Sequence, residues 1–149
     1  MRSLVPLLLL ALLGCGPYPE PPPAPPSSPP VRLEVDASDF VEWGSGGGID
    51  GRWSGVRVWG DGRVQVLEGP GEAREGARLE PARAARLLQA AVDAGLLDLV
   101  NHPPTGADML GRGIQAELDG RKVSASIDEM TRDPAWDRVW AVLRLPERR

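Results

Sequence analysis

His102 is the chain's only histidine, and it bounds the acid–base chemistry available. A Ser-His-Asp arrangement would have to use it. It stands beside Pro103 and Pro104, and no G-x-S-x-G motif supplies a nucleophile. A zinc site would need carboxylates for nearly all its other ligands, and no H-E-x-x-H is present. His102 therefore reads as an exposed loop residue, because catalysis needs convergent groups. Asp36 and Asp39 lie close together, as do Asp128 and Glu129. Paired carboxylates can divide acid and base roles, but at strand ends they read as solvated charges. Asp50, Asp61 and Asp119 form no D-x-D-x-D-G calcium loop, and the last two precede glycines as turn residues do. Gly44 to Gly48 lacks the G-K-[ST] ending of a phosphate loop and leads into a strand, so it reads as a hairpin connection. These residues assign no catalytic group, metal ligand or cofactor, and the expected class is not an enzyme.

The tryptophans are more informative. Trp136 and Trp140 stand at helical spacing and read as core. Trp53, Arg57 and Trp59 fall on one face of an alternating strand, with Val56 and Val58 on the other. Tryptophan and arginine concentrate the energy of protein interfaces, so these three are the candidate binding residues if their face is exposed. Because tryptophan is mostly buried, the preferred reading turns that face to the core and the valines outward.

Several elements must position them. Val31, Leu33 and Val35 alternate with polar residues and predict a first strand; Phe40 to Trp43 continues it or forms a short element. Two hairpins follow from Asp61-Gly62 and Asp119-Gly120, each between alternating runs: Val56 and Val58 with Val64 and Val66, then Ile114, Ala116 and Leu118 with Val123, Ala125 and Ile127. Residues 69 to 78 read as charged loop. A helix is predicted from Pro81 to about Ala94, with Ala84, Leu87, Leu88, Ala91 and Val92 as its apolar stripe and Gly95 as cap. Asn101 to Asp108 reads as a polar loop. A last helix starts at Asp133-Pro134, buries Trp136, Val139, Trp140 and Leu143, and stops before Pro146. The expected fold is α+β, an antiparallel sheet of about four or five strands with both helices on one face.

The N-terminus sets where this domain works. Arg2 precedes the apolar run Leu4 to Leu13, about half the ~20 residues a membrane-spanning helix requires. The run ends in Leu12-Leu13-Gly14-Cys15, which resembles the lipobox of bacterial lipoproteins. Leu13 departs slightly from the small residue usual at its position. The resemblance implies cleavage between Gly14 and Cys15 and a diacylglycerol thioether on Cys15, often with a third acyl chain on the new amino terminus. Two or three chains suffice for stable anchoring, where one does not. Cys15 is the only cysteine, so once acylated it leaves no thiol for a disulfide, metal or nucleophile. Nine of the fifteen residues from 16 to 30 are proline, predicting a polyproline II spacer about 45 Å long. In diderm bacteria, Asp after the lipidated cysteine retains a lipoprotein at the inner membrane. Gly16 here leans toward the outer membrane facing the periplasm.

The division is then signal peptide 1–14, lipidated cysteine and linker 15–30, and a single domain 31–149. Loss of Arg2 with the signal takes the formal charge from −4 to −5. An acidic domain argues against nucleic acid as a partner. Gly46-Gly47-Gly48-Ile49-Asp50-Gly51 between strands, Leu79-Glu80-Pro81 opening a helix that leads to Ala94-Gly95-Leu96-Leu97-Asp98-Leu99, Asp108 before a hairpin turning at Asp119-Gly120, and a closing Pro134 helix together resemble the emfourin-type domain. That family's characterised member inhibits protealysin-like zinc metalloproteases. The charged loop from Gly69 to Arg78 and the lipid anchor depart from the pattern, and no inhibitory residue is carried over. The expected function is a membrane-tethered, non-catalytic binding module with a protein partner in the envelope. A metalloprotease inhibitor and an envelope structural or assembly lipoprotein are the alternatives.

Overall fold

The computed structural model describes residues 31–48, 51–69, 72–103, 105–106 and 109–144. The signal, Gly14 and Cys15, the proline-rich spacer, Asp50, Asp108 and Pro146 lie outside the described residues. Six strands form one sheet: β1 (Phe40–Gly47), β2 (Arg52–Trp59), β3 (Val64–Leu67), β4 (Ala73–Glu75), β5 (Leu110–Leu118) and β6 (Arg121–Asp128). Their spatial order is β4-β3-β2-β1-β5-β6, and every neighbouring pair is antiparallel. Two helices, α1 (Pro81–Asp93) and α2 (Pro134–Leu143), complete an α+β fold with more strands than the expected four or five.

Both predicted hairpins form, by different means. Asp119 (φ 48°) and Gly120 (φ 72°) both enter the left-handed region, and Leu118 pairs with Arg121 across a two-residue turn. At the other hairpin only Gly62 has positive φ, at 86°. Asp61 instead accepts hydrogen bonds from the Arg63 backbone N–H (2.9 Å) and Nε (2.8 Å). Val58 opposes Val64, and Val56 opposes Val66, as the alternation requires.

Three expectations change. Residues 31–35 are extended but join no ladder. Gln89 of α1 binds them instead, accepting from the Leu33 N–H (2.9 Å) and donating to the Val31 carbonyl (2.8 Å), while Leu33 and Val35 pack on the core. Their alternation is satisfied by a helix flank rather than a neighbouring strand. The glycines 44–47, expected to be a turn, are the second half of β1, paired on both sides. The expected charged loop contains β4, whose three residues are all exposed and offer no apolar alternation to read.

The helices follow their sequence signals. Pro81 opens α1, and Gly95 (φ 104°) ends it before a single 3₁₀ turn, Leu96–Asp98. Asp133 caps α2, accepting from the Ala135 N–H at 2.8 Å. Ala84, Leu88 and Ala91 of α1 and Trp136, Val139 and Leu143 of α2 are all fully buried. They join one core with Val41, Val58, Ile114, Leu118 and Ile127 of the sheet. Trp140 is only half-buried, and Arg112 lies over its ring. The valine face of β2 is therefore the covered one, which overturns the preferred reading that the valines point outward. The deciding residues are Ile114, Ala116 and Leu118, which line up with Trp43 and Val41 across β1 and share the valines' face.

Candidate functional site on the open sheet face

Alternation places Trp53, Arg57 and Trp59 together on the face opposite the core. The register adds Phe40 beside Trp59, Glu42 beside Arg57 and Gly46 beside Trp53 from β1, then Glu117, Gln115 and Gly113 from β5. Neither helix contributes its buried stripe to this side.

Two clusters organise the face. In the first, the Arg57 guanidinium lies 5.1 Å from the Phe40 ring centre and 5.5 Å from that of Trp59. Arg63 approaches the Trp59 ring to 4.8 Å, and the two rings are tilted 47° apart at 6.5 Å. Each such cation–π contact contributes about 0.5–1 kcal/mol at an exposed site. Glu42 holds Arg57 in place. Its Oε2 accepts from Nε at 2.7 Å and also from Nη2, leaving Oε1 without a protein hydrogen bond among the described residues. The Glu42 side chain is only 11% exposed, so this ion pair is far less screened than a surface pair.

The second cluster centres on Trp53. Its indole lies across glycines of two strands: a Cβ on Gly113 would stand 2.7 Å from Cη2, and one on Gly44 2.9 Å from Cε2. The glycines of β1 and β5 give the indole a flat bed. Beyond its edge opens a cleft of about 390 Å³, lined by Glu42, Trp53, Gly113, Gln115, Ser124, Ser126 and Asn101, with Ile114 and Ala125 at its floor. A carboxylate acceptor, two amides, two hydroxyls and an aromatic ring meet there. That combination supplies polar groups beside an aromatic ring, and no nucleophile–base pair is seen among these lining residues.

The other sequence candidates have structural partners. His102 is not a simple exposed loop residue. It bridges to Ile127 alongside β6, donates its backbone N–H to the Ser126 carbonyl at 2.7 Å, and places Nε2 3.0 Å from Asp133. No hydroxyl hydrogen-bonds to it among the described residues. Asp133 is held below the usual carboxylate range, first by the Ala135 backbone N–H and then by His102. Asp128 is likewise lowered, chiefly by the Thr131 hydroxyl, and also receives the Met130 and Thr131 N–H groups at 2.8 Å each. Asp61 is lowered by the Arg63 backbone N–H above all. Asp39 ties the turn before β1 to the distant hairpin, accepting from Asp36 N–H (2.8 Å) and Asp119 N–H (3.1 Å). These carboxylates build turns and caps, and among the described residues no three His, Cys, Asp or Glu side chains converge as metal ligands would.

Sequence reasoning grouped Trp53, Arg57 and Trp59 but missed Phe40, Glu42, Arg63 and Gln115. Finding Phe40, Glu42 and Gln115 requires the β1 register, which was hidden behind the glycines, whereas Arg63 follows the Asp61-Gly62 turn. No family model matches the chain, and no curated protein matches it.

Proposed function

We propose that this chain is a lipoprotein of the bacterial envelope, anchored through lipid on Cys15, whose domain is a non-catalytic module that binds a protein partner on its open sheet face. The lipobox Leu12-Leu13-Gly14-Cys15 and the proline spacer support the tether. The observation that carries the binding reading is the row Phe40, Arg57 and Trp59, pre-ordered by Glu42 on a face that neither helix covers. Residues of these types, rigid before the partner arrives, lose little side-chain entropy on binding.

A photo-crosslinking residue at Gln115, exposed beside the cleft, tests this against one at Arg86, exposed on α1. In cells, the full chain yields a discrete protein adduct from Gln115 and none from Arg86, and Trp59→Ala abolishes it. Adducts from Arg86 alone, or a Gln115 adduct indifferent to Trp59→Ala, sink the open-face reading. A zinc metalloprotease recovered in the adduct, and inhibited one-to-one by the chain, specifies the module as an inhibitor.

A further inference from the structure

On the covered side of the sheet, the apolar pattern stops before the strands do. Val41 and Trp43 of β1 are buried, but Ser45, next on that face, is exposed. Val56 of β2 gives way to exposed Ser54, and Ile114 of β5 to Arg112. The register sets Ser45 opposite both Ser54 and Arg112. The helix layer thus falls short of one sheet corner. α2 and the loop after β6 flank it, leaving an open cavity of about 610 Å³.

Four arginines line this cavity, Arg52, Arg112, Arg132 and Arg144, against two carboxylates, Glu129 and Asp137. That local excess of positive charge stands in a chain whose formal net charge is −4. Two of the four have other work. Arg112 lies 5.3 Å from the Trp140 ring centre and reaches Asp137 at 3.5 Å, while Arg144 sits at the C-terminal cap of α2, where a cation complements the helix dipole. Arg52 and Arg132 form no salt bridge with any described carboxylate.

We propose that this corner binds the phosphate group of a small phosphomonoester, held between the arginines of the sheet, the loop after β6 and the end of α2. Guanidinium groups from three separate elements suit a tetrahedral dianion, whose three terminal oxygens present a different edge to each fork, better than a planar carboxylate with only two. Ser45 and Ser54 add hydroxyl donors on the floor. Stacking on Trp140 fixes Arg112 before any ligand arrives. The cavity is larger than a phosphate alone fills, and Leu110, 49% exposed at its rim, gives the organic part an apolar contact. The site lies on the opposite side of the sheet from the open face and stands independently of the partner-binding reading.

Calorimetric titration of the full chain decides the matter, with glycerol 3-phosphate as the phosphomonoester and citrate as a carboxylate-only polyanion. Glycerol 3-phosphate binds, and citrate binds at least about tenfold more weakly. The double variant Arg52→Gln/Arg132→Gln loses about tenfold or more in affinity, as expected for removing two charge-assisted contacts. Both side chains are exposed and lack a described ion-pair partner, so its melting temperature stays at the parent value. Arg83→Gln on α1 leaves binding unchanged. Absence of binding at millimolar glycerol 3-phosphate, citrate binding as tightly, or full affinity in the double variant would each overturn the site.

Discussion

Trp53 and Gly113 explain each other. A glycine inside a strand costs about 0.5–1 kcal/mol relative to alanine, so Gly113 in β5 needs a reason. The reason is the indole, which occupies the space a Cβ at Gly113 would need. Gly113→Ala then lifts the ring and costs about 1–3 kcal/mol, while Trp53→Ala, uncovering the glycine bed, costs about 2 kcal/mol. In the Trp53→Ala background the sign at Gly113 reverses, because alanine is the better strand residue once the ring is gone. Urea unfolding of the four-member cycle measures this coupling, expected at about 1 kcal/mol or more. Strict additivity would show that the glycine bed has no connection with Trp53. The three grouped side chains were legible from alternation alone. Their exposure was not, since β2 carries large apolar side chains on both faces and only the neighbouring strands decide between them.

Between β6 and α2, two carboxylates organise the chain reversal: Asp128 closes the turn through Met130 and Thr131, and Asp133 caps the helix and meets His102. Both are lowered in the folded chain relative to an unfolded aspartate near pH ~3.9. A lowered carboxylate stabilises the fold above its unfolded pKa and loses that contribution as pH falls through the folded value. The melting temperature should therefore hold steady from about pH 7 to 5 and fall below about pH 4. In Asp128→Asn/Asp133→Asn, where asparagine still caps, the acid decline becomes shallower. An identical decline in scanning calorimetry would place the acid sensitivity elsewhere. At this scale the hairpins and both helices were readable because turn chemistry, caps and periodicity agreed. Three elements resisted for separate reasons. Residues 31–35 use Gln89 where a strand would use a ladder; β1 runs through glycines; and β4 is short and exposed, with no apolar alternation to read.

For the molecule as a whole, the proposed tether is separable from the domain by experiment. Replacing Cys15 by serine should move the protein from the detergent-extracted membrane fraction to the soluble fraction, with the domain's melting temperature unchanged; membrane retention of Cys15→Ser would refute the lipid anchor. The proposed anchoring would also change what the sheet's two margins must withstand. β4 is three residues long, fully exposed and laced by the Arg74–Glu68 pair at 2.6 Å. At the other margin, Asn101 and His102 occupy the hydrogen-bonding groups of Ser126, with the Asn101 Oδ1 accepting its N–H at 2.8 Å. Copies held to one lipid surface through Cys15, as proposed, would meet repeatedly at the same height, where bare strand margins would zip into ribbons. Blunted at both margins, domains anchored in that way would be able to crowd side by side in two dimensions without joining edge to edge.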